Sequence, residues 1–108
     1  MKQTFHLKYE HLPKAEALCE RLRREIATVA GVDTSRRFYI FLKQFRETDI
    51  EFEIEVHFRG SSGALLRERR QSVLLKIGSV VHDMGAEWAV WNGVLEGGPN
   101  VPTVKPPQ

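Results

Sequence analysis

A chain of 108 residues with a formal charge of +2 reads as one domain, large enough to bury a core without a metal or a disulfide. The near-balanced charge argues against a dedicated nucleic-acid surface, and the lone Cys19 excludes an intramolecular disulfide and fits a reducing compartment. No run approaches the ~20 apolar residues of a membrane helix, and no apolar stretch follows Met1-Lys2-Gln3 as a signal peptide requires, so the chain reads as soluble.

The first predicted element is a short strand, in which Phe5, Leu7 and Tyr9 alternate with Thr4, His6 and Lys8. Pro13 then stands where a first helical residue would, because its missing N–H is no loss there. Ala15, Leu18, Leu22, Ile26 and Val29 follow at spacings of three and four, the buried stripe of an amphipathic helix. Gly31 is placed to end that helix in the left-handed conformation. Arg37 to Phe45 reads as a second strand with apolar residues on both faces: Phe38, Ile40 and Leu42 on one, Tyr39 and Phe41 on the other. Arg46-Glu47-Thr48-Asp49 is a short polar turn, so the second and third strands form an antiparallel hairpin. The third strand, Ile50 to Phe58, alternates most cleanly. Ile50, Phe52, Ile54, Val56 and Phe58 face a core; Glu51, Glu53, Glu55 and His57 face water.

Gly60-Ser61-Ser62-Gly63 interrupts the strand pattern, and Ser61 or Ser62 can cap a helix. Leu66, Val73, Ile77, Val80 and Met84 mark the buried stripe of that helix, widened by Leu74 and Val81, and Gly85 closes it. Trp88 and Val90 alternate with Ala89 and Trp91 in a fourth strand. Glycine and proline accumulate from Asn92 onward. The reading therefore divides the chain into a folded domain, residues 1–92, and a flexible Gly/Pro-rich tail, residues 93–108. The element order β-α-β-β-α-β predicts an α+β fold, the ferredoxin-like plait: a four-stranded antiparallel sheet with both helices on one face. The expected strand order is 4-1-3-2, with the second and fourth strands at the edges.

No chemistry-bearing constellation emerges. Glu51, Glu53 and Glu55 run along one strand, ~6–7 Å apart, and a straight row does not converge on a cation. They read as a solvated face, with His6, Lys8 and Lys43 opposite for weak cross-strand ion pairs. His6, His11, His57 and His82 fall on four different elements without metal-ligand spacing. His6 and His57 become neighbours on the open face if the first and third strands pair, and are not expected to hold zinc. Cys19 reads as a packing residue, and Ser61 and Ser62 lack a base at informative spacing. The expectation is therefore no enzyme, no catalytic residue, no metal and no cofactor. Arg67, Arg69, Arg70 and Lys76 make the second helix basic, and Arg36-Arg37 add to this charge. RNA-binding plaits stack bases on central-strand aromatics, whereas this central strand shows carboxylates, so no nucleic-acid partner is expected. Tyr39, Phe41 and Trp91 resist a bland reading. They are apolar residues on the outer face or edges of a sheet, which points to a subunit interface.

The run Phe5-His6-Leu7-Lys8-Tyr9-Glu10-His11-Leu12-Pro13-Lys14-Ala15-Glu16-Ala17 resembles the start of the C-terminal α/β domain of small-conductance (MscS-like) mechanosensitive channels. So do Val73-Leu74-Leu75-Lys76-Ile77 and His82-Asp83-Met84-Gly85-Ala86-Glu87-Trp88-Ala89-Val90. The resemblance spans residues 4–91 as a diffuse pattern. It implies a cytosolic vestibule module of a homo-oligomeric, usually heptameric, membrane channel gated by tension, with no covalent chemistry. The chain lacks every membrane and pore element of such a channel. It would meet the membrane only through segments of a parent chain, as a fragment of it. Its Trp91-Asn92-Gly93-Val94 stands where the family closes on a Pro-Thr-Arg-Thr-like segment. The alternative reading is a free-standing ferredoxin-like module that binds a small ligand or partner in a regulatory role.

Overall fold

Alternation and helical periodicity become six elements in the computed structural model, which describes residues 1–60 and 62–89. Strand β1 is Lys2–Leu7, and a 3-10 helix over Tyr9–Lys14 leads into helix α1, Ala15–Ile26. Strands β2, Tyr39–Phe45, and β3, Ile50–Glu55, form the hairpin, and helix α2 is Gly63–Asp83. Pro13 therefore lies in the 3-10 turn that precedes α1, not at the helix start. Helix α2 begins directly after Ser62.

The sheet is antiparallel with order β1-β3-β2, which puts the cleanly alternating strand in the middle. Phe5 faces Phe52 and Leu7 faces Ile50 across β1 and β3; Ile40 faces Ile54 and Leu42 faces Phe52 across β2 and β3. These inward side chains form one buried cluster with Leu18, Leu22 and Ile26 of α1 and Val73, Ile77 and Val80 of α2. The Phe5 and Phe52 rings stack at 5.0 Å within it. Cys19 is buried in the same cluster, and burial pushes its thiol above the ordinary value, as suits a packing residue.

A bulge interrupts the β2–β3 register between Leu42 and Gln44. One extra residue on β2 turns Lys43 and Gln44 both toward the outer face, where Lys43 reaches Glu53 and Gln44 reaches Glu51. Past the end of α1, Gly31 adopts φ +86, and the space a Cβ would fill is occupied by the Arg69 guanidinium.

Leu74 does not widen the buried stripe of α2. It stands ~100° around the helix from Val73 and is exposed. The fourth strand is present only in outline among the described residues, whose sheet has three strands. Leu7 bridges Trp88, the Lys8 N–H donates to the Glu87 carbonyl at 3.2 Å, and the Ala89 N–H donates to the His6 carbonyl at 3.0 Å. Val90, Trp91 and the tail of residues 93–108 lie outside the described residues. No helix of the described residues is long and apolar enough to cross a membrane.

Candidate functional site

The outer face of the sheet is where sequence alternation and structure part. Glu51 and Glu53 are not solvated: each is only 8% exposed. The bulge and the flanking strands lay side chains over them. Glu51 accepts from the Gln44 amide at 2.6 Å and lies 3.4 Å from His6 Nε2. Glu53 accepts from the Tyr39 hydroxyl at 2.8 Å and lies 3.1 Å from Lys43 Nζ. Glu55 meets His57 Nε2 at 2.8 Å. All three carboxyls are held below the ordinary carboxylate range, Glu51 by the Gln44 bond, Glu53 by the Tyr39 and Lys43 bonds, Glu55 by the His57 bond. Lys8 does not lie over this row, where the sequence pattern puts it. It instead pairs with Glu87 at 2.8 Å, beyond the strand's end.

On this carboxylate layer rest Tyr39 and Phe41, stacked with ring centroids 4.9 Å apart and planes 17° apart. Tyr39 is tied into its own chain: its hydroxyl is bound to Glu53, and that bond to a carboxylate pushes its pKa well above the ordinary phenol value. Phe41 is 41% exposed, its ring open on the outer face. The two residues form one platform, at the edge strand β2. Trp91, the third residue of the expected interface, lies outside the described residues.

That edge is not an open template for another strand. The Arg23 guanidinium of α1 donates to the Ile40 carbonyl at 3.1 Å, and the bulge breaks the regular ladder three residues later. The face of the rings, rather than the strand's backbone, is what remains available.

Sequence reasoning missed a second aromatic pair. Tyr9 and Phe45 stack at 6.3 Å, the Tyr9 hydroxyl bonds the Arg46 carbonyl, and Phe45 is 61% exposed. The 3-10 turn after β1 carries Tyr9 to the hairpin end, and no spacing rule links residues 9 and 45. Trp88 closes the opposite side with its edge against Phe5, ring centroids 5.8 Å apart.

The histidines have separate tasks. His6 lies opposite Glu51, and His57 follows six residues later, ~20 Å along the strand, so the two are not neighbours. Glu10, His11 and Glu87 bring three possible ligand atoms within 4.8 Å of one another. However, His11 Nε2 already accepts the Glu87 backbone N–H at 2.9 Å, and Lys8 neutralises the Glu87 carboxylate.

No family model matches the chain, and no curated protein matches it. Solved structures do. AtMSL1 wild type, determined by cryo-EM, superposes with TM-score 0.76 at 13% identity over 82% of this chain and 31% of its own. A second structure of Arabidopsis thaliana MSL1 gives TM-score 0.74 at 14% identity over 82% of this chain and 32% of its own. The chain has the fold of part of an MscS-like channel subunit. That family is the one the sequence resembles. The chain spans about a third of the length of the solved chains it matches.

Proposed function

We propose that the chain is the C-terminal α/β domain of an MscS-like mechanosensitive channel, lining a cytosolic vestibule and holding neighbouring subunits together. The observation that carries this reading is the agreement of two independent likenesses. A diffuse sequence resemblance over residues 4–91 and a fold match over 82% of the chain lead to the same kind of channel. The domain's part is mechanical rather than chemical. In this reading Tyr39, Phe41 and Trp91 contact the next subunit of a homo-oligomer, a heptamer by resemblance. The Tyr39–Phe41 platform supports the first two, because it leaves an apolar ring open on a face whose charges are matched within the subunit. The antiparallel contacts of residues 87–89 with β1 support completion of the sheet by a fourth strand, giving the full plait.

The test uses the complete parent channel. Phe41→Ser, alone and with Tyr39→Ser, should weaken subunit assembly in native mass spectrometry and alter the tension response in patch recordings. An intact oligomer with an unchanged response removes the interface assignment. A parent gene with no apolar helices upstream of this domain removes the channel reading itself.

A further inference from the structure

Helices α1 and α2 differ in what they leave outside. The large apolar residues of α1, Leu18, Leu22 and Ile26, are all buried, and its exposed face carries Glu16, Glu20, Arg23 and Arg24. Helix α2 leaves Leu65, Leu74 and Leu75 in the open, at 45%, 45% and 64% exposure. Its outer face from Gln71 to Ser79 holds no charge. Lys76 and Asp83 turn instead to α1, where they meet Glu25 at 3.8 Å and Arg21 at 2.9 Å.

Gly78 stands on that uncharged face, one helical turn beyond both Leu74 and Leu75. A glycine inside a helix weakens it relative to alanine. Nothing within the described chain requires it. Its φ is not positive, and a Cβ at this position would meet no other part of the chain within 4 Å. At Gly31, by contrast, the missing side chain makes room for Arg69. The room left by Gly78 opens outward, beside the most exposed leucine of α2. Glu68 and His82 lie seven residues before and after Leu75, on its side of the helix, and both are exposed. Among the described residues neither meets an opposite charge.

We propose that the outer face of α2 pairs with the same face of a second copy, the two helices antiparallel, with Leu75 of each seated over Gly78 of the other. A leucine beside a glycine is self-complementary: a two-fold contact gives each copy one knob and one hole. The charges select the orientation. Antiparallel pairing brings Glu68 of one copy within about one turn of His82 of the other. It also lays the arginine-rich first half of α2 over the C-terminal turn of the other copy, the negative end of a helix. Parallel pairing would set Arg67, Arg69 and Arg70 beside their own copies. A two-fold contact does not close a ring, so it joins copies from separate assemblies and stands apart from the Tyr39–Phe41 contacts. Three leucines and a glycine cover far less than the ~800 Å² per partner of a stable interface, so the pair forms at millimolar rather than micromolar concentration.

The 108-residue chain, labelled with nitrogen-15, is diluted from millimolar to micromolar concentration, and its mass is followed by sedimentation equilibrium. A dimer mass at the upper end should come with amide shifts centred on Leu74, Leu75, Gly78 and Ser79. Leu75→Ser, a surface change, should leave the fold intact and weaken pairing about tenfold or more. Gly78→Ala should raise the melting temperature, because alanine favours the helix, and weaken pairing, because the methyl group fills the hole. A glycine without a docking role would give the first effect and not the second. Glu68→Lys and His82→Glu should each weaken the pair. The two changes in one chain should restore it, which only the antiparallel arrangement allows. Phe41→Ser should leave this pairing unchanged, so it holds or fails independently of the ring contacts. A monomer at every concentration overturns the pairing, as do shifts confined to the surroundings of Phe41. Shifts on α2 that follow deletion of residues 93–108 and ignore Leu75→Ser make that segment the occupant and overturn it too.

Discussion

The imidazole of His11 accepts the backbone N–H of Glu87 through Nε2 at 2.9 Å. His11 is only 6% exposed, so this is a buried acceptor supplied by the 3-10 turn to the segment that follows α2. With the bonds from Lys8 to Glu87 and from Ala89 to His6, it ties residues 87–89 to the end of β1. His11→Ala leaves a donor unpaired and should cost about 1–3 kcal/mol in urea unfolding. The amides of Glu87 and Ala89 should exchange faster with solvent, and His11→Gln should restore part of the protection. Unchanged exchange in His11→Ala would show that β1 holds the segment without the imidazole.

The core predictions rest on full burial. Ile54 sits in the central strand and Ile77 on the inward stripe of α2, both inside the single cluster. Ile54→Ala and Ile77→Ala should each lower stability by about 2–5 kcal/mol in urea melts. A smaller loss at Ile54 than at exposed Leu75 would mean that the strand register is one residue out.

Gly31 has two reasons to lack a side chain: φ of +86 and the Arg69 guanidinium in the Cβ position. Gly31→Ala should therefore destabilise by more than about 1 kcal/mol. Adding Arg69→Ala should recover the steric share and leave the backbone share, which a double-mutant cycle separates. Purely additive losses would place the whole cost in the backbone.

Acid should loosen the outer face of the sheet. Glu51, Glu53 and Glu55 have folded-state pKa values below the ordinary glutamate value of 4.5. A depressed carboxylate stabilises the fold fully above its unfolded pKa and loses that contribution as pH falls through its folded pKa. Stability from these groups should thus hold through neutral pH and decline from about pH 4.5 downward. Glu53→Gln should flatten that decline. Glu53→Ala should lower the melting temperature at pH 7, because Lys43 and the Tyr39 hydroxyl lose their partner. A melting temperature unmoved by Glu53→Ala would return the site to the solvated face that alternation alone suggests.

Much of the architecture was legible before any coordinates. The period-two run of Ile50–Phe58, the three-four spacing of Ala15, Leu18, Leu22 and Ile26, and the short Arg46–Asp49 turn each depend on neighbours within one element. Local geometry therefore sufficed to place β3, α1 and the hairpin. The outward direction of Tyr39 and Phe41 followed from the same alternation, since Ile40 and Leu42 face the core.

What the sequence determined by itself is the three strands, the two α-helices and most of their inward residues, because alternation and helical spacing are properties of the chain at short range. Only the tertiary structure decided how the outer face is covered. Burial of Glu51 and Glu53 depends on a bulge that turns both Lys43 and Gln44 outward, and an alternation pattern cannot show an extra residue in a ladder. The Tyr9–Phe45 stack, the His11–Glu87 bond and the meeting of Arg59 and Arg69 at Gly31 likewise join residues from separate elements. Such contacts follow from the angles at which elements pack, which no residue spacing encodes.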